Sequence, residues 1–298
     1  MAILDFGSCN VDVVFTVEHI NAPGETQTAL AFARYPGGKG LNQAIALQRA
    51  GADAWIAGCV GEDDPFLRKL LRDEGVNCDC LCAVSGPTGQ AIIQVDSKGE
   101  NSIVAFPGAN FRVTREQILT TLQQFGKQGR WVILQNEISN LPYIVAQAKE
   151  LGLRVMLNPS PYNDVMKEID LEMVDVLILN QVEACQVFGT DSEDFLKRME
   201  RDYPNTRVML TLGSRGCIYM EQGKRMYQDA YRVNAVDTTG AGDTFTGYFA
   251  ALMDRGEPME RVLKVASAAA ALSVTRSGAA VSIPNLDEVL AWMEDLPG

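Results

Sequence analysis

The sequence predicts an α/β fold with a three-layer α/β/α core, a mostly parallel sheet and a small β-sheet lid. Three observations predict it. Short apolar runs at residues 54–60, 131–135, 154–158, 174–180 and 207–212 alternate with amphipathic stretches at 65–74, 114–125, 141–151 and 183–188. Such alternation reads as βαβ units, whose sheet is buried on both faces by helices. Two stretches, 11–36 and 88–106, break the rhythm and read as short strands joined by Gly-containing turns. No repeat or low-complexity linker separates them from the rest, so they are expected to form a lid that departs from one domain spanning 1–298.

Composition narrows the function classes. With 47% hydrophobic and 21% charged residues, the chain has globular composition, not that of a disordered, collagenous or coiled-coil protein. No apolar stretch reaches the roughly 18 residues a membrane helix needs, and the first residues lack the basic region of a signal peptide. The net charge of −12 disfavours nucleic acid and anionic lipid as partners, leaving small molecules. Seven cysteines with no zinc spacing read as reduced thiols of a cytoplasmic protein. The alternation of Cys78, Cys80 and Cys82 suits one side of an extended segment. His19 is the only histidine, which leaves little room for a Ser-His-Asp triad or a multi-histidine metal site. Acid–base chemistry is then expected from carboxylates, lysines or cysteines.

Three glycine-rich sites carry the chemistry. Gly37, Gly38 and Gly40 precede a helix expected over 42–50, with Lys39 as a point charge and Asn42 one turn in. Glycines allow close backbone approach, and the helix start is expected to aim its N–H groups at a ligand. The Walker spacing fails here, because Gly40 stands where Ser or Thr is needed. The bland alternative is a glycine turn that caps a helix. At the second site, Gly240-Ala241-Gly242 opens a helix whose Phe245, Tyr248, Phe249 and Leu252 follow helical spacing. Successive N–H groups there form an anion hole, and Asp243 beside it suggests work on a proton. Read blandly, Asp243 is a first-turn acid. The third site, 211–216, closes an apolar run, as does Asn180-Gln181-Val182-Glu183, where Glu183 also reads as a helix N-terminal acid.

Together these sites resemble the ribokinase-like (PfkB) carbohydrate kinases, with the ribokinase branch nearest. The resemblance is carried in order by Gly7 to Asp12, Gly37 to Ala44, Thr88 to Ala91, Gly99 to Asn101, Leu157 to Pro159, Asn180 to Glu183, Thr211 to Gly216, Asp237 to Phe245 and Val274 to Ala279. It implies an ATP-dependent sugar kinase acting on a primary hydroxyl, with D-ribose the expected substrate, ribose 5-phosphate the product, and deoxyribose, a ketose or a nucleoside as alternatives. Asp243 would be the base, and Gly240, Ala241 and Gly242 the anion hole for the transferred phosphoryl group. The resemblance implies sugar contacts from Asn10, Asp12, Gly38, Lys39, Asn42 and Glu137. Asn180 and Glu183 would organise Mg²⁺ through water, while Thr211, Gly213 and Gly216 line the nucleotide cleft. Asp237, Thr239, Ser273, Gly278 and Ser282 match a loop pair that binds an activating K⁺.

The resemblance also implies a homodimer, paired through residues 13–15 and 92–95 of the lid. One departure concerns the adenine: the family's Asn or His on the helix before Val274 is missing from residues 264–270, which predicts relaxed nucleotide preference. The acids Asp12, Glu25 and Glu100 argue against a phosphorylated sugar. A nicotinamide oxidoreductase would need G-x-G-x-x-G after the first strand, and Gly7 is followed by Ser8-Cys9-Asn10. A non-catalytic sugar-binding regulator would have no use for Asp243.

Overall fold

The computed structural model describes residues 1–62 and 65–296. Its strands are β1 (Ala2–Phe6), β2 (Asn10–Thr16), β3 (Ala31–Gly37), β4 (Asp53–Gly61), β5 (Asn77–Val84), β6 (Gly89–Val95), β7 (Asn101–Phe106), β8 (Gly129–Gln135), β9 (Arg154–Asn158), β10 (Val176–Asn180), β11 (Arg207–Thr211), β12 (Cys217–Glu221) and β13 (Lys224–Gln228). The helices are α1 (Lys39–Arg49), α2 (Phe66–Asp73), α3 (Arg115–Phe125), α4 (Leu141–Glu150), α5 (Gln181–Phe188), α6 (Ser192–Asp202), α7 (Ala241–Asp254), α8 (Met259–Ser273) and α9 (Leu286–Glu294).

Among the described residues, nine strands form one sheet in the order β13-β12-β11-β10-β9-β8-β1-β4-β5, and four form a second in the order β3-β2-β6-β7. The large sheet is parallel from β11 to β5 and closes at one edge with antiparallel β12 and β13. Its central strands are apolar throughout because both faces are covered. Side chains of alternate residues enter two cores. Ile3, Ile133 and Ile178 pack with α1, α7 and α8, whereas Leu4, Leu134 and Leu179 pack with α3, α4 and α6. The predicted three-layer α/β fold with a small separate sheet is what the chain adopts. β1 pairs with β4 on one side and β8 on the other, so the connection order reverses there, and ligands of open sheets bind at such a point.

Local differences from the sequence expectations have physical causes. α1 begins at Lys39, three residues early, because Gly38 (φ 92°) serves as N-cap and its carbonyl accepts from the Asn42 N–H at 3.0 Å. α5 begins at Gln181 because Asn180 and Glu183 form a reciprocal capping box. Cys78 and Cys80 do not share a side: a register shift in the β4–β5 pairing between Trp55 and Ala57 sends Cys78 to one core and Cys80 to the other.

The lid segments expected at a dimer contact, 13–15 and 92–95, lie on β2 and β6, the two inner strands of the small sheet, which pair with each other. The prominent exposed apolar side chains sit instead on or beside the outer strands, at Leu30, Phe32, Ile103, Val104 and Phe106. Registered lines Val13–Ile92–Val104 and Val14–Ile93–Ile103 alternate along the strands and so put apolar groups on both faces.

Candidate active site

The site lies beyond the carboxyl ends of β1 and β8. β1 runs into Gly7 and Ser8, and α1 is pressed on them: a Cβ at Gly40 would stand 2.6 Å from the Gly7 backbone. That contact leaves room for glycine alone. It also settles the start of α1. The Leu41 N–H donates to the Ser8 carbonyl at 2.9 Å and the Lys39 N–H to Glu137 Oε2 at 3.2 Å, and the Ser8 hydroxyl donates to the same carboxylate oxygen. These N–H groups are therefore occupied by protein, contrary to the expectation that this helix start aims them at a ligand.

Asp243 stands in the first turn of α7, which packs on α1 so closely that a Cβ at Gly247 would be 2.4 Å from the Ala46 Cβ. Both its oxygens are held from α1. Asn42 Nδ2 donates to Oδ2 at 2.9 Å and Gln43 Nε2 to Oδ1 at 2.9 Å. Asn42 is buried, yet its Oδ1 has no partner. Such an atom carries a desolvation cost until a donor, such as a sugar hydroxyl, reaches it. Lys39 is half-buried and lies within the electrostatic reach of the carboxylates of Asp243, Glu137 and Glu183. Burial alone would lower its pKa, but their combined charge outweighs this and holds it above the ordinary value.

From the small sheet come Asn10 and Asp12. Asn10 Oδ1 accepts from Asn110 Nδ2 at 2.7 Å, and Asn110 Oδ1 accepts from the Cys9 N–H at 3.0 Å. The Asp12 carboxyl faces Gly37, where a Cβ would come within 2.3 Å of it. Burial first, and then the Glu137 charge, push its pKa up from 3.8 to about 6. Asn10, Asp12, Gly38, Lys39, Asn42, Glu137 and Asp243 thus converge where the small sheet meets the core.

On the far side of α7 a cavity of about 690 Å³ is lined by Thr211, Gly213, Gly216, Ala241 and Gly242, with Val233, Ala270 and Val274 as an apolar wall. Gly240 is the N-cap of α7, at φ 76°, and a Cβ at Gly242 would meet nothing within 4 Å. The Ala241 N–H donates to the Thr238 carbonyl at 3.3 Å and the Thr244 N–H to the Gly240 carbonyl at 2.8 Å, so the N–H groups at the start of α7 that no protein carbonyl takes are those of Gly242 and Asp243. Asn180 and Glu183 are outside this lining; Glu183 Oε2 accepts from the Asn180 N–H at 2.9 Å, the bland helix-cap role.

Among the described residues no three His, Cys, Asp or Glu side chains cluster as a metal cage. Glu183, the acid the sequence assigns to Mg²⁺, offers carboxylate oxygens, the donor type that Mg²⁺ takes, with Oε2 already accepting from the Asn180 N–H. Asp237 joins the two loops of the expected K⁺ site: its carboxylate accepts from the N–H groups of Thr239 and Gly278, each at 2.9 Å. Burial works against its charge, but a hydrogen bond from the Thr239 side chain, together with those from the Gly278 and Thr239 N–H groups, prevails and holds its pKa below the ordinary value. Ser273 and Ser282 donate to Ala270 and Ala279 carbonyls, so their oxygens remain acceptors. An all-oxygen set of this kind fits a hard monovalent cation.

Sequence reasoning missed Ser8, Gln43, Asn110, Gln135 and Asp5. Gln135 and Asp5 carried a signal: each is a polar residue inside or ending an otherwise apolar strand, where only a hydrogen-bonded role repays burial. His19 pairs with Glu25 in the exposed β2–β3 connection.

The description "pfkB family carbohydrate kinase" matches residues 2–286. The chain is 33% identical to a ribokinase of Haemophilus influenzae over 297 residues, 97% of each chain. It is 31% identical to a deoxyribokinase of Salmonella typhi, again over 97% of each. A solved ribokinase from Arabidopsis thaliana, complexed with ribose and ATP, superposes with a TM-score of 0.87 at 30% identity, covering 99% of both chains. Matched over nearly its full length in sequence and in fold, the chain belongs to the pfkB family of carbohydrate kinases, phosphotransferases with an alcohol group as acceptor.

Proposed function

We propose that this protein transfers the γ-phosphoryl group of ATP to the primary hydroxyl of D-ribose, giving ribose 5-phosphate. The observation that carries the reading is the placement of Asp243. It lies between a polyol-sized cluster of hydrogen-bonding side chains and the open N-terminus of α7. Full-length similarity to ribokinases supports the choice of sugar.

In this reading, Asn10, Asp12, Lys39, Asn42 and Glu137 bind the ribose hydroxyls and present the primary one to Asp243. An Asp243 oxygen takes the hydroxyl proton as the oxygen attacks. N–H groups of Gly242 and its neighbours stabilise the charge on the equatorial phosphoryl oxygens, the larger part of catalysis in such transfers. Mg²⁺, when bound, would supply neutralisation of the β- and γ-phosphate charge, and Glu183 would help to hold it through water. K⁺ held by Asp237, Thr239, Ser273, Gly278 and Ser282 would fix the loop from which α7 starts. The small sheet closes over the sugar and excludes water. Its exposed apolar residues suit a homodimer paired through that sheet. The seven free cysteines suit the cytoplasm.

The base-facing wall carries Ser267, Ala270 and Ala271, without an amide or imidazole to read a purine edge, so ATP and GTP are both expected as donors. A deoxyribokinase of comparable similarity makes 2-deoxyribose the second reading. The test is nucleotide consumption over a sugar panel with Mg²⁺ and K⁺, the product position read by NMR. Ribose should give the highest kcat/KM, with phosphate on O5; no turnover on any sugar, with binding retained, would favour a sugar-binding regulator.

A further inference from the structure

Behind Asp243 runs a line of buried polar side chains that the mechanism does not use. Gln43 Nε2 donates to Asp243 Oδ1, and Gln43 Oε1 accepts from Gln135 Nε2 at 2.9 Å. Gln135 Nε2 also points at Asp5, 3.2 Å from Oδ1 and 3.1 Å from Oδ2. Gln43 is 1% exposed, and Gln135 and Asp5 are wholly buried. Burial drives the Asp5 carboxyl well above the ordinary range against the pull of the Gln135 hydrogen bond. Gly7 keeps the line seated, since a Cβ there would stand 2.1 Å from Gln135 Oε1 and 2.5 Å from Asp5 Oδ1.

The chemistry of the amides fixes their direction. An ionised carboxylate accepts and cannot donate, so Gln43 must turn its NH₂ to Asp243 and its carbonyl oxygen inward. That oxygen then requires a donor, which Gln135 supplies, and Asp5 holds the Gln135 amide from behind. An Asp5–Gln135 pair deep in apolar β1 and β8 costs stability if it does nothing. The two hands on Asp243 also differ. Asn42 has an unpartnered Oδ1 and is placed to turn toward the sugar, whereas Gln43 has no free polar atom and stays on the base.

We propose that Gln43 is a positioning residue for Asp243, locked by Gln135 and Asp5, and that it holds the carboxylate in its reactive orientation once Asn42 engages the sugar. This rests on the reading of Asp243 as base. A misplaced base lowers the rate without weakening ground-state binding.

The test is a set of mutant cycles on the intact enzyme, with a thermal melt for each variant. Gln43→Met, similar in length and without a donor, should lower kcat by about 10–100-fold and leave KM for ribose and MgATP within about twofold. Gln135→Met should lower kcat less, and the double variant should equal Gln43→Met alone, since both act through one amide. In an Asp243→Asn background, Gln43→Met should change the residual rate by less than about twofold. Wild-type kcat in Gln43→Met, or an equal loss in both backgrounds, would overturn the proposal. If Gln43→Met fails to fold, Gln135→Met in the same two backgrounds decides it by the same criteria. A near-normal kcat in Asp243→Asn alone would instead remove the base assignment beneath it.

Discussion

The starts of α1 and α7 look alike and do different work. Each follows a glycine-rich turn, each has a glycine N-cap at positive φ (92° at Gly38, 76° at Gly240), and neither has a side-chain cap. At α1 the cap is filled by protein: Glu137 takes the Lys39 N–H, the Ser8 carbonyl takes the Leu41 N–H, and Gly40 touches Gly7. At α7, Gly242 faces empty space beside the large cavity. A glycine-rich helix start is thus an anion site only where nothing of the protein occupies it. Under the proposed function the first would be a platform that presents side chains to the sugar, and the second would offer its Gly242 and Asp243 N–H groups to phosphate.

Substitutions at the two glycines should separate these roles. Gly242→Ala adds a methyl to open space in a helix, which leaves or slightly raises stability, yet crowds the phosphoryl position. Activity assays should show kcat down by about 10²-fold, the scale of a lost oxyanion contact, with an unchanged melting temperature. Gly40→Ala should do the reverse, because its Cβ meets backbone. Chemical denaturation should show a loss of about 1–3 kcal/mol, an overpacking cost, while the folded fraction keeps most of its kcat. A stability loss at Gly242 with none at Gly40 would invert the comparison.

Asp12 sharpens it from the sugar side. Its pKa of about 6 exceeds the ordinary 3.8, so ionising it opposes folding. The stability owed to the protonated carboxyl is complete below pH 3.8 and lost as pH rises through about 6. Sugar hydroxyls need the ionised acceptor, so KM for ribose should rise about tenfold from pH 7.5 to 5, and Asp12→Asn should flatten that profile at a high KM. The smallest expected effect is that of the cation. Exchanging K⁺ for tetramethylammonium should lower kcat severalfold, and Asp237→Ala should abolish the difference between the two salts.

The sequence carried much of this site because its motifs sit at strand ends and helix starts, where residue type is dictated locally. Asp243 after Gly240-Ala241-Gly242 is such a case. What it hid depends on distant partners. Gln43 and Asp243 are 200 positions apart, Gln135 and Asp5 are 130 apart, and no local pattern announces either pairing. Asn110 lies in a turn between β7 and α3 and reaches Asn10 only when the small sheet folds onto the core. The shift that parts Cys78 from Cys80 comes from the pairing of β4 with β5. The β12–β13 hairpin had a local signal that went unread: Gln222 and Gly223 both take positive φ, as a two-residue turn requires.

In the proposed function α7 supplies the base as well as the anion hole, and the turnover of Asp243→Asn with ribose and MgATP, beside calorimetric binding of both, tests this most directly. It should lose about 10²–10⁴-fold in kcat, the usual worth of a general base, and bind both substrates as the wild type does. A variant that turns over at near wild-type rate would show that the proton leaves by another route.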